Sequence, residues 1–110
     1  MSAVIEARAS WQEIERKFES ESGLTSGQYA ILYALVKAGE PLNMKQVSEM
    51  VPVDKSTCSE IVYRLADKGY VTTEPSKTDR RAILVKLTRK GRGMFLRAER
   101  VDARLSNGRG

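Results

Sequence analysis

After Pro75 the chain sets Lys77, Asp79, Arg80 and Arg81 in a run of turn-forming residues that ends at Ala82. A projecting basic loop can reach a DNA minor groove, whose negative potential attracts arginine. Asp79, two residues before Arg81, can fix that guanidinium through a charge-assisted hydrogen bond. A second set lies upstream. Lys55, Ser56, Thr57, Ser59 and Glu60, then Tyr63 and Arg64, fall outside the apolar stripe of one helical segment. Serine and threonine bond bases or phosphates, lysine contacts guanine or a phosphate, and glutamate can accept from a cytosine amino group. The plain alternatives are a soluble turn and an ordinary solvated helix face.

Catalytic chemistry finds no such set. The 110 residues include no histidine and a single cysteine, Cys58, so zinc sites and the usual histidine-based nucleophile pairs are excluded. The remaining carboxylates, lysines and hydroxyls show no convergent spacing. The expectation is a protein that is not an enzyme, with no catalytic residue, no metal and no cofactor. Cys58 cannot form an internal disulfide and fits a reducing compartment. It lies on an apolar stripe, so it reads as a small core hydrophobe rather than a redox sensor.

Charge is unevenly spread. Residues 1–76 hold 8 Lys/Arg and 11 Asp/Glu, a net −3, whereas residues 77–110 hold 11 Lys/Arg and 3 Asp/Glu, a net +8. Such a step suits a polyanion partner for the later segment, although a solvated basic helix would look the same. The longest apolar run, Tyr29 to Val36, is far too short to span a bilayer. No secretory segment is recognisable, and the expected location is the cytoplasm, at the nucleoid, away from membranes.

The elements that must position these groups follow from period and caps. Val4, Ala7, Trp11, Ile14 and Phe18 recur at spacings of three and four, a heptad-like stripe on a first helix over residues 1–22. Thr25 and Gln28 form a capping box for a second helix through Val36, and Asn43 and Gln46 another for a short third. Asp54 is the N-cap candidate for a recognition helix over 54–68, with Cys58, Ile61, Val62 and Leu65 as its buried stripe and Gly69 just past its end. About three residues separate these last two helices, as in a helix-turn-helix. The period then changes to β-prone runs at Tyr70–Glu74 and Ala82–Leu87 around the polar loop, a hairpin. Thr88 can cap a final helix over 88–105, with Met94, Ala98, Val101 and Leu105 at heptad spacing. Residues 106–110 read as tail.

The fold expected is therefore mainly α (α+β): a single winged helix-turn-helix domain over residues 1–110. Its core, residues 24–87, carries a two-stranded β wing and is flanked by N- and C-terminal helices. The first helix is rich in glutamate (Glu6, Glu13, Glu15, Glu19, Glu21) and the last in arginine. They are expected to pack together, within or between subunits, with charge setting the pairing. Val4, Trp11, Ile14, Phe18, Phe95, Val101 and Leu105 are the candidate dimerisation residues. The alternative is that each helix caps its own domain.

Residues 79–91, Asp-Arg-Arg-Ala-Ile-Leu-Val-Lys-Leu-Thr-Arg-Lys-Gly, closely resemble the wing signature of the MarR/SlyA family of regulators, D-x-R-x-x-x-V-x-L-T-x-x-G. Leu24-Thr25-x-x-Gln28-x-x-Ile31-Leu32 is similar to that family's opening. Asp54-Lys55-Ser56-Thr57, then Arg64-Leu65 and Lys68-Gly69-Tyr70-Val71, resemble its recognition helix and exit. The resemblance implies a homodimer on a pseudo-palindromic operator, repression relieved by a ligand or oxidant, and Asp79 with Arg81 as the wing pair. Family members are usually longer at the C-terminus, so a shortened last segment is expected here. They often carry a basic or amide residue in place of Glu60, so base preference does not transfer. The effector is unknown. Two other readings stay open: a non-specific architectural DNA-binding protein, and a winged helix that docks on a protein partner.

Overall fold

The computed structural model describes the backbone of residues 2–79 and 81–107 and the side chains of 12–79 and 81–106. Arg80 and the side chains of Val4 and Trp11 lie outside the described residues. The order of elements is α1 (Ser2–Ser22), α2 (Ser26–Ala38), β1 (Leu42–Asn43), α3 (Met44–Met50), α4 (Lys55–Asp67), β2 (Val71–Pro75), β3 (Ile83–Leu87) and α5 (Arg89–Asn107). This is a mainly helical winged helix-turn-helix with terminal helices on both flanks.

Local chemistry sets the helix ends. Ser22, itself buried, closes α1: its hydroxyl donates to the Phe18 carbonyl at 2.6 Å and accepts from the Leu24 N–H at 3.1 Å. Thr25 and Gln28 exchange side-chain and backbone bonds at 3.2 and 3.0 Å to open α2, and Asn43 and Gln46 do the same for α3 at 2.7 and 2.9 Å. Both expected capping boxes are present, each satisfying two backbone N–H groups that the helix itself leaves unpaired.

The sheet holds one strand more than the hairpin. β3 is central in the order β1-β3-β2, antiparallel to both neighbours. The hairpin register runs from Val71 opposite Leu87 to Pro75 opposite Ile83, and Pro75 is tolerated because β2 is an edge strand. β1 adds Leu42 opposite Val85 and Asn43 opposite Leu84. Asn43 is thus both the end of a strand and the cap of α3, which anchors the helix-turn-helix directly to the wing.

The core lies between α2, α4, the sheet and the inner faces of α1 and α5. Leu24, Ile31, Leu32, Val47, Val62, Leu65 and Val85 have no exposed surface, each contributing about 1.5–3 kcal/mol by burial. Phe18, Phe95, Ala98 and Val101 belong to the same cluster. Tyr29 joins α1 to α5: its ring stacks on Phe95 at 5.5 Å and meets Phe18 edge-on at 5.2 Å. Glu21 of α1 pairs with Arg104 of α5. The acidic and basic terminal helices therefore pack together within one chain. α5 runs two residues past Leu105, to Asn107, so the segment expected as tail begins as helix.

A candidate nucleic-acid interface

The recognition helix α4 is aimed by its buried face. Cys58, Val62 and Leu65, at helical spacing, are fully buried. Lys55, Ser56, Thr57, Glu60, Tyr63 and Arg64 are therefore turned to solvent, with Ser59 half-buried at the edge. Asp54 caps the helix as expected, its Oδ1 accepting from the Thr57 N–H at 2.9 Å. Thr57, through its side chain and then its backbone, holds the Asp54 carboxyl below the usual carboxylate range. Thr57 thus has a capping duty beside the contact expected of it. Burial pushes the Cys58 thiol up, which keeps it protonated and unreactive.

The exit of α4 is clasped to the start of α5. Gly69 takes φ +82°, a left-handed conformation that a residue with a Cβ adopts only at a cost. Its carbonyl accepts from the Thr88 hydroxyl at 2.7 Å, the Thr88 N–H donates to the Tyr70 carbonyl at 3.1 Å, and the Gly91 N–H donates to the Thr88 hydroxyl at 2.9 Å. A Cβ on Gly91 would lie 1.9 Å from the Tyr70 oxygen, so only glycine fits. The threonine and glycine of the Leu87-Thr88-x-x-Gly91 motif have a structural reason: they lock the wing's base and α5 onto the end of the recognition helix.

The wing tip is organised by hydrogen bonds. Ser76 Oγ accepts from the N–H groups of Thr78 and Asp79, both at 3.3 Å, and its own N–H donates to the Ala82 carbonyl at 2.9 Å. Asp79 Oδ1 accepts from the Arg81 backbone N–H at 3.0 Å. This corrects the expected role of Asp79. Among the described residues its carboxylate shapes the backbone ahead of Arg81 and makes no ion pair with the guanidinium. Lys77, Asp79 and Arg81 are all exposed. Lower on the hairpin, Lys86 bonds Glu74 at 2.7 Å and holds that carboxyl below its usual range.

Helix and wing open onto one cleft. Ser59 and Tyr63 line it from α4, Asp79 and Arg81 from the wing, and Asn43 and Lys45 from the start of α3. The sequence position of Lys45 does not mark it for this cleft, because only the pairing of β1 with β3 carries it beside the wing. Tyr63 was legible as an outward residue of the recognition helix, though not as a wall of this cleft.

The candidate dimerisation residues divide. Phe18, Phe95 and Val101 lie in the chain's own core, which leaves them almost no surface for a second copy. Ile14 and Leu105 are half-buried and line a groove with Phe18, Tyr29 and Asp102. Burial, followed by the charges of Asp102 and Glu99, pushes Tyr29 up to about 12. Among the described residues, no group of three or more His, Cys, Asp or Glu could hold a metal ion, and no helix is long and apolar enough to cross a membrane.

Comparison with known proteins agrees with this architecture. The MarR family model matches residues 22–82. The regulator SarZ of Staphylococcus epidermidis is 33% identical over 84 residues, which cover 74% of this chain and 56% of SarZ; the chain spans little more than half the length of that relative. Among solved structures, the PcaV transcriptional regulator of Streptomyces coelicolor, with its natural ligand, is 33% identical and superposes with a TM-score of 0.81 over 91% of this chain and 72% of its own. The transcriptional regulator BldR of Sulfolobus solfataricus is 28% identical, with a TM-score of 0.82 over 97% of this chain and 76% of its own. The family match spans the second helix, the helix-turn-helix and the wing up to Ala82, and on it the chain belongs to the MarR family.

Proposed function

We propose that this chain is a sequence-specific, double-stranded DNA-binding transcriptional regulator that acts as a homodimeric repressor on a pseudo-palindromic operator. Residues 24–87 form its DNA-binding unit, with the terminal helices serving assembly. The recognition helix enters the major groove, where Lys55, Ser56, Thr57, Ser59, Glu60 and Arg64 face base edges and phosphates. The wing, residues 75–82, reaches the adjacent minor groove with Lys77, Arg80 and Arg81. The observation that carries this reading is that the outward face of α4 and the basic wing line one common cleft. Membership of a family whose similar members are named transcriptional regulators supports it. A second copy would meet the protein along Ile14 and Leu105, which among the described residues are the members of the expected interface with surface to offer, together with Val4 and Trp11 of the same expected set. PcaV has a natural ligand, and by that likeness a small-molecule effector of unknown identity belongs to this reading.

Selection of bound duplexes from a random library at about 150 mM salt, where non-specific binding is already weak, tests the reading. The expected product is an inverted repeat with half-sites about one helical turn apart. Recovery without a motif would favour the non-specific architectural reading, which the exposed Arg89, Arg92, Arg97 and Arg100 of α5 support.

A further inference from the structure

The cleft between α4 and the wing has its own chemistry. It presents two cations, Lys45 and Arg81, and two hydroxyls, those of Ser59 and Tyr63. Its carboxylate, Asp79, already accepts the Arg81 N–H. Tyr63 is 48% exposed, an aromatic ring left half uncovered on a cleft that the exposed Lys45 also lines. The floor is apolar: Met44, Ala82 and Ile83, all half-buried. Cations and hydroxyl donors along the walls suit a phosphodiester, and an apolar floor suits the sugars beside it.

Geometry makes the same demand. One sugar–phosphate strand separates a major groove from the neighbouring minor groove, so a protein with a helix in one and a hairpin in the other must seat that strand between them. We propose that this cleft is the seat, with Lys45 and Tyr63 clamping the phosphate of the crossing strand. Neither residue reads a base. They fix the register at which α4 and the wing meet the duplex, and they contribute the same affinity to every sequence. The inference rests on the DNA-binding reading above; it adds to it a contact at Lys45, which belongs to neither the recognition-helix set nor the wing set, and gives Tyr63, an outward residue of α4, a phosphate rather than a base to hold.

The test is duplex binding as a function of salt for the wild-type protein, Lys45→Met and Tyr63→Phe, on the selected duplex and on a random one. Both side chains are exposed, so both variants should keep the wild-type melting temperature. Lys45→Met is expected to weaken both duplexes alike, by about tenfold, and to reduce the log–log salt slope by about 0.9 for each bound protomer. The selected motif should not change. Tyr63→Phe, which loses one uncharged donor, should weaken binding by about threefold with no change of slope. A neutral methylphosphonate at the crossing phosphate should weaken the wild-type protein but not Lys45→Met. A wild-type salt slope in Lys45→Met, or an altered motif, would overturn the clamp while leaving the regulator reading intact. A wild-type protein that prefers no duplex would instead overturn the reading on which the clamp rests.

Discussion

The recognition helix and the wing tip face the same cleft but are held in place by different forces. α4 is fixed by Cys58, Val62 and Leu65, none of which has exposed surface, so its position is part of the core. The tip between β2 and β3 has no such anchor: Ser76 Oγ and Asp79 Oδ1 hold its backbone through bonds among exposed residues. Water competes for those bonds, so each contributes little net stability, whereas apolar burial contributes most of it. Affinity and stability should therefore separate. Damage behind α4 acts through the whole fold, and damage in the wing acts on the ligand alone.

The largest effect expected from this contrast is on stability. Leu65→Ala should cost about 2–5 kcal/mol in denaturant unfolding, from lost transfer energy and the cavity left behind. A cost below about 0.5 kcal/mol, within the range of surface changes, would break the contrast, because α4 would then not be core-anchored. Next comes the wing. Arg81→Ala should weaken binding to a selected duplex by about 1–3 kcal/mol, with no measurable change in melting temperature. Wild-type affinity in that variant would remove the wing from the mechanism.

The smallest effect is on pH dependence. Asp54 and Glu74 both have carboxyls held below their ordinary values. Their contribution is thus fully present above the unfolded-state value and is lost as pH falls through the folded-state one. Thermal unfolding should be insensitive to these groups near neutrality and fall on acidification below about pH 4. Asp54→Asn keeps a cap acceptor and should shallow that fall, and an unchanged acid profile in the variant would remove Asp54 from it.

What was legible in the sequence was whatever local chemistry decides. Thr25, Asn43 and Asp54 announced three helix starts because a short polar side chain before an apolar-periodic run satisfies backbone donors wherever it occurs. The stripe through Cys58, Val62 and Leu65 gave the facing of α4, and with it the outward set from Lys55 to Arg64. The Pro75-to-Asp79 run marked the hairpin loop. What was not legible depends on tertiary placement. β1 is a two-residue strand, too short for any period, and it exists only because β3 lies beside it. Lys45 enters the cleft for that reason alone. Asp79 next to two arginines suggested an ion pair, but an aspartate in a turn also accepts a backbone N–H two residues on, and here that local bond is made to Arg81. Phe18 and Val101 lie on heptad stripes that serve equally for a partner or for the chain's own core, and spacing cannot tell the two apart.

The central claim, that helix and wing together read a DNA sequence, is tested most directly by comparing affinities. The measurement is binding of the purified protein, at about 150 mM salt, to a duplex carrying the selected motif and to a random duplex of the same length. The account predicts a preference of about a thousandfold or more for the selected duplex. Equal affinity for the two would contradict it.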